Sequence, residues 1–258
     1  MDQYQYLFIE RKRHKVAVIN VLCRPSRNML NSDLIVELTR ACKELNEDDK
    51  INCVILTGEK DVFFAGADIK EMTGMSVSQA LEMAGKMKAL QLSIIQSTKP
   101  YIAAINGYCL GGGMELALVC DFRVAGHNAM FGLPQVNLGI IPGSGGISRL
   151  TEVAGRTAAC KMILTGEMIT ASKAMELSII SDLFEDPLSG AILIGNSLAS
   201  KSKMAIATAK KLINQKYWQL NQGHFDQEMQ SFALLFDYPD SVEGMGAFLE
   251  HREPTFRD

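Results

Sequence analysis

At 258 residues the chain is long enough for one large domain with a substantial core, and its 47% hydrophobic and 21% charged residues are ordinary for a globular protein. A formal charge of −3 gives no global pull toward nucleic acid or anionic membrane, and no apolar run approaches the roughly 20 residues that a membrane span requires. The N-terminal residues Met1-Asp2-Gln3-Tyr4-Gln5-Tyr6 lack the basic and apolar segments of a signal peptide, so the expected setting is cytoplasmic.

In chain order, Val16 to Leu22 is a β-rich run that ends at the loop Cys23-Arg24-Pro25-Ser26-Arg27. Ser32 is placed to cap a helix through about Leu45, where Leu34, Leu38, Ala41 and Leu45 recur at helical spacing. Cys53 to Thr57 is the next strand, and the strand–helix–strand order predicts a parallel crossover. Phe63-Phe64-Ala65-Gly66-Ala67-Asp68 reads as an apolar wall running into a tight bend, with Asp68 a candidate cap for a short helix. Ser76 to Gln96 is helical, with Met83, Met87 and Leu90 on one face.

Tyr101 to Ile105 is a short buried strand, and Asn106-Gly107-Tyr108-Cys109-Leu110-Gly111-Gly112-Gly113-Met114-Glu115 follows it. A strand that breaks at glycines and restarts as a helix presents unpaired N–H groups at the positive end of the helix dipole. Glycine there lets a ligand approach the backbone closely, and Glu115 falls in the first turn. Neither a phosphate loop nor a dinucleotide fingerprint matches this spacing. The bland reading, a tight turn followed by a favourable N-terminal acid, fits the same residues.

Cys120 to Ala125 returns as a strand, Ala129 to Gly132 adds a short edge, and Leu133 to Gly146 forms an apolar loop rich in glycine and proline. Two or three short helices cover Arg149 to Met175, and Ile179 to Phe184 reads as the last strand. Helices over Ser189–Ala199, Met204–Lys216, Gln222–Phe236 and Ser241–His251 complete the chain. The change to pure helix divides it into 1–190 and 191–258. The six cysteines (Cys23, Cys42, Cys53, Cys109, Cys120, Cys160) form no C-x-x-C pair, and the four histidines lack ligand spacing, so free thiols and no metal site are expected.

Ala65 to Met72, Asn106 to Leu118, Gly139-Ile140-Ile141-Pro142-Gly143 and the ending Gly246 to Arg252 resemble, in order and spacing, the signatures of the crotonase superfamily, and the enoyl-CoA hydratases most closely. The resemblance runs nearly end to end. It implies an α/β fold, a spiral of ββα turns carrying the acyl-CoA site, followed by a helical region that builds trimers or hexamers. It implies an oxyanion hole from the backbone N–H groups of Ala67 and Gly112, which hold the thioester oxygen while a proton moves at Cα. CoA enters as part of the substrate and no other cofactor is implied. CoA contacts fall on Arg24, Ala65, Asp68, Ile69, Lys70 and, from a second subunit, Phe248. Met72, Met75, Leu90, Leu138 and Ile141 are candidates for the acyl pocket.

The family's hydratases use two glutamates. The first corresponds to Glu115 and the second falls on Gln135, an amide that can hold water but cannot exchange a proton. Gly143, where a backbone N–H helps to hold the reacting water, is retained. Three readings follow: a hydratase with Glu115 as the sole acid/base; another enolate reaction such as isomerisation, a specialised dehydration or C–C cleavage; or an RNA-binding member with little catalysis. The last would need a basic stripe, for which Lys201, Lys203, Lys210, Lys211 and Lys216 offer a modest cluster that a solvated helix face explains more cheaply.

Overall fold

The structure, a computed structural model, describes residues 4–22, 28–59 and 61–256, the side chains of 216–222 excepted. The chain begins with a hairpin of β1 (Leu7–Lys12) and β2 (Val16–Val21), paired antiparallel from Leu7↔Val21 to Lys12↔Val16. The charged segment Glu10-Arg11-Lys12 hides β1 from a reading by apolar pattern; as an edge strand it exposes those residues to water. Helix α1 (Ser32–Glu47) is capped by Asn31, one residue earlier than expected, whose side chain accepts from the Leu34 amide at 2.8 Å. Its apolar face then delivers the chain to β3 (Cys53–Thr57), parallel to β2 as the crossover requires.

From β3 onward the chain repeats one unit. The first turn is β3, β4 (Val62–Phe64), the short α2 (Ile69–Met72) and α3 (Val77–Ile95). The second is β5 (Tyr101–Ile105), β6 (Tyr108–Leu110) and α4 (Gly112–Val119). The third is β7 (Phe122–Gly126), β8 (Met130–Gly132) and α5 (Gly146–Leu164), reached through a 3₁₀ turn at Pro134–Leu138. Each turn gives its first strand to one sheet, where β1, β2, β3, β5 and β7 are successive neighbours, and its second to another, where β4, β6 and β8 are. The expected spiral of ββα turns is therefore present. Strand β9 (Ile169–Thr170), α6 (Ala171–Glu176), β10 (Asp182–Phe184) and α7 (Pro187–Ala199) close it.

The C-terminal part differs from the sequence reading in one respect. Instead of helices broken between Lys216 and Gln222, α8 runs unbroken from Lys203 to Leu234, followed by α9 (Pro239–Glu250). Asn221 and Gly223 weaken helix propensity by roughly 1 kcal/mol at most each, less than packing along α3 returns. Lys210 pins α8 in place. Its buried ammonium donates to Ile94 O at 3.0 Å, Lys99 O at 2.8 Å and Asp121 Oδ2 at 2.7 Å. Among the described residues no helix is long and apolar enough to cross a membrane, and no group of three or more His, Cys, Asp or Glu could hold a metal ion. The five described cysteines are free thiols.

The spiral lays β4 beside β6, parallel, with Val62 opposite Tyr108 and Phe64 opposite Cys109. Helix α4 then packs on β4 so closely that a Cβ on Gly113 would lie 2.5 Å from Phe64 Cβ and 2.8 Å from Phe64 O. Because backbone cannot yield as a flexible side chain can, Gly113→Ala is expected to cost about 1–3 kcal/mol. Thermal unfolding followed by circular dichroism checks this: the melting temperature should fall by several degrees, and an unchanged one contradicts the close approach.

Candidate active site

Parallel β4 and β6 end side by side, and each runs into a glycine with positive φ, Gly66 at 107° and Gly111 at 51°. The two turns meet: a Cβ on Gly111 would lie 3.6 Å from Gly66 Cα. Beyond Gly66, Leu30 donates to Gly66 O at 2.8 Å and accepts from Asp68 N at 3.1 Å, forming a parallel bridge to Ala67. In such a bridge the flanking residues face the partner, so the Ala67 N–H points the opposite way, away from Leu30. Gly112 is the first residue of α4, where no carbonyl lies four residues back along the helix to receive its N–H. Among the described residues, neither amide has a partner. Both residues line one cavity of about 500 Å³.

Glu115, one turn into α4, lines the same cavity and is only 4% exposed. Its Oε1 accepts from the amides of Ser144 at 2.7 Å and Gly146 at 3.1 Å, where the glycine-rich loop turns into α5. Burial pushes this carboxyl up from 4.5 to about 7, and the nearby Glu228 carboxylate adds to the rise. The two amides and the Arg149 guanidinium pull in the other direction.

Gln135 sits in the 3₁₀ turn and also lines the cavity; its buried Oε1 has no hydrogen-bond partner among the described residues. A buried carbonyl in that state costs about 1–3 kcal/mol until a donor meets it, so this wall of the site favours a ligand with a hydroxyl, amide or water hydrogen to give. Gly143 lines the cavity too, with the Phe232 ring directly behind it.

The remaining sequence candidates divide. Ala65, Ile69, Met72, Leu138, Ile141 and Phe248 line the cavity. Asp68 instead caps α2, accepting from Lys70 N at 3.0 Å, and the Lys70 side chain is exposed. Leu90 is fully buried in the main core, and Met75 packs at the margin of a second apolar cluster; neither lines the cavity. On α3 it is Met83, Ala84 and Met87 that line it, while Leu90 is buried in the main core. Arg24 lies outside the described residues. Of the lysine cluster, Lys210 points inward, while Lys201, Lys203 and Lys211 are exposed.

Sequence reasoning missed Ser144, Arg149 and Glu228. The last had a visible signal: an acid between Phe225, Met229 and Phe232 on what periodicity makes the inward face of a helix.

A family model described as enoyl-CoA hydratase/isomerase matches residues 11–258. The 2,3-dehydroadipyl-CoA hydratase of Escherichia coli (strain K12) is 39% identical over 248 residues, covering 95% of this chain and 96% of that protein. A crystal structure of an enoyl-CoA hydratase from Bacillus anthracis superposes with a TM-score of 0.80 at 34% identity, covering 98% and 99% of the two chains. A methylmalonyl-CoA decarboxylase in complex with 2-nitronate-propionyl-CoA superposes at 0.88 with 29% identity, covering 98% and 99%.

The raised proton affinity of Glu115 has a consequence for stability. The folded chain holds this proton up to about pH 7, whereas the unfolded chain releases it near 4.5. Folding therefore takes up a proton between those values, and stability falls as pH rises through the window, by a total on the order of 3 kcal/mol. Glu115→Gln removes the penalty. Melting temperatures should show the variant more stable than the parent at pH 8, with the gap closing as pH falls toward 4.5. A gap that does not vary with pH contradicts the buried, proton-retaining carboxyl.

Proposed function

The chain belongs to the enoyl-CoA hydratase/isomerase family, and on that premise we propose that it adds water reversibly across the Cα–Cβ double bond of an enoyl-CoA, with Glu115 as the only acid/base. Its enoyl-CoA hydratase-like activity follows from the family; the proposal concerns the groups that act and the substrate they act on. The observation that carries it is a buried carboxyl, poised near neutrality, in one cavity with two free peptide donors.

The N–H groups of Ala67 and Gly112 receive the thioester oxygen. Water, held by the Gln135 Oε1 and the Gly143 N–H, attacks Cβ; the C–O bond forms as a water proton passes to Glu115. The π electrons move toward the thioester, and the negative charge on its oxygen is stabilised by the two donors, each contributing about 3–4 kcal/mol. Glu115 then gives the proton to Cα, which closes the balance. A pKa of about 7 suits a group that must both take and give a proton at neutral pH. No further cofactor enters this scheme, and CoA is part of the substrate.

The acyl chain is proposed to be apolar. Met29, Met72, Met83, Met87, Ile140 and Phe232 wall the cavity, and no Lys, Arg or His is among the described residues that line it. A terminal carboxylate would be buried there without a counter-charge, at a cost of several kcal/mol. The substrate named for the Escherichia coli relative ends in such a group, and here it is expected to be poor.

The amide at 135 favours a second reading, an enolate reaction that needs a single acid, including isomerisation, a specialised dehydration or C–C cleavage. The inward turn of Lys210 weighs against the RNA-binding reading. Self-association into trimers or hexamers belongs to the same proposal. Leu193 on α7 and Leu212 and Ile213 on α8 stand 61–70% exposed, surface that a second copy would cover. Free thiols fit a reducing, cytoplasmic compartment.

A panel of enoyl-CoA thioesters, followed by loss of the enoyl absorbance and product analysis, tests the reading. Crotonyl-CoA is expected to be hydrated, and kcat/KM for it should exceed that for 2,3-dehydroadipyl-CoA by about tenfold or more. Gln135→Glu should raise the crotonyl rate at least about tenfold by adding a second acid, and Glu115→Gln should abolish turnover. Products of isomerisation or chain cleavage from the parent chain would shift the assignment to the second reading. Light scattering should give three or six times 28.3 kDa; a monomer contradicts the assembly.

A further inference from the structure

Helix α8 presents one face to the turn that orients Glu115. Phe225, Glu228 and Phe232 lie three and four residues apart and so share that face. The Arg149 guanidinium sits 4.5 Å from the centre of the Phe225 ring, and the Phe232 ring fills the space against Gly143. Between them Glu228, 6% exposed, accepts from Ile147 N at 3.1 Å and, through its other oxygen, from Ser148 N and Ser148 Oγ at 3.2 Å. Four amides from Ser144 to Ser148 are thus divided between two buried carboxylates: Ser144 and Gly146 serve Glu115, Ile147 and Ser148 serve Glu228. The turn's Ser144 carbonyl is held by Gln91 Nε2 and Arg149 Nη1, each at 2.8 Å.

Resting on the reading of Glu115 as the proton-transfer group, we infer that Glu228 is a positioning residue for that transfer: it clamps the Ser144–Ser148 turn that aims the Glu115 carboxyl and places a second acid beside it. Glu228 does not line the cavity, so it acts only through Glu115.

Among the described residues, few charged groups surround the pair. From α5 comes Arg149 and from α8 Glu228. From α3 the neutral Gln91 reaches the turn, and Lys88 is engaged by Asp226 in a half-exposed ion pair. Burial raises the proton affinity of Glu228 too, while the Ile147 and Ser148 amides, the Ser148 hydroxyl and Arg149 favour its ionised form. An ionised Glu228, held by three donors, balances the Arg149 guanidinium when Glu115 keeps its proton. Glu228 therefore favours the protonated form of Glu115 and Arg149 favours the ionised form, in line with the directions in which the two move its titration.

A residue that merely capped α5 would affect folding and rate without selecting the direction of that titration. Carbon-13 NMR of protein labelled at the glutamate carboxyls, with Glu115→Gln to identify the resonance, reads Glu115 directly and needs no turnover. In Glu228→Gln the Glu115 midpoint should fall by about half a pH unit or more, and the acidic limb of kcat/KM should move with it. In Arg149→Met the midpoint should rise. Glu228→Asp, which keeps the charge, should leave it near the parent value. An unmoved midpoint in Glu228→Gln, or shifts of the same sign in Glu228→Gln and Arg149→Met, overturns the inference. If Glu228→Gln does not fold, a midpoint in Arg149→Met that fails to rise overturns it alone. Midpoints that move as expected in a chain that does not hydrate crotonyl-CoA would retire the hydratase assignment and leave the clamp standing.

Discussion

A carboxyl group taken out of water and held by backbone amides is the constraint around which this molecule is arranged. Glu115 is buried because α4 is apolar on every side and must pack inside the spiral, wedged against β4 at Gly113. Its charge is then supported by peptide N–H groups at the start of α5 rather than by a lysine or an arginine in direct contact. Peptide dipoles stabilise the ionised form enough to keep it reachable, whereas a direct ion pair would have locked it ionised. The result is a group whose two protonation states are close in free energy near neutral pH, which a proton-transfer residue requires.

The same helix junctions account for the rest of the site. The spiral brings β4 and β6 to the same level, so that the turns at Gly66 and Gly111 set Ala67 and Gly112 on the lining of one cavity. The third turn brings Gln135, Gly143 and Ser144 to the same cavity. The C-terminal helices supply Phe232, Phe248 and the Glu228 clamp, so the region after residue 190 contributes to the site as well as carrying exposed apolar surface.

Much of this was legible in the sequence, and the parts that were not share a cause. The glycine break before Glu115, the crossover from β2 to β3 and the cap at Asp68 are local patterns, decided by residues a few positions apart. The ββα order followed from a resemblance carried by motifs running nearly end to end. What failed to show were relations between distant elements. Leu90 and Met87 lie on neighbouring helical positions, and only the tertiary path of α3 decides that Met87 lines the cavity while Leu90 does not. The continuity of α8 through Asn221 and Gly223 is set by packing against α3, which overrides their propensity. The partners of Glu115 stand 29 and 31 residues away, and those of Glu228 lie 80 and 81 away, beyond any periodicity argument.

The account turns on two peptide N–H groups converging on one oxygen, and a crystal structure with bound acetoacetyl-CoA observes that convergence most directly. It should place the thioester oxygen about 2.7–3.1 Å from both Ala67 N and Gly112 N, with the Glu115 carboxyl beside the Cα–Cβ bond. A thioester oxygen that meets neither amide, or a Glu115 carboxyl turned away from those carbons, would contradict it.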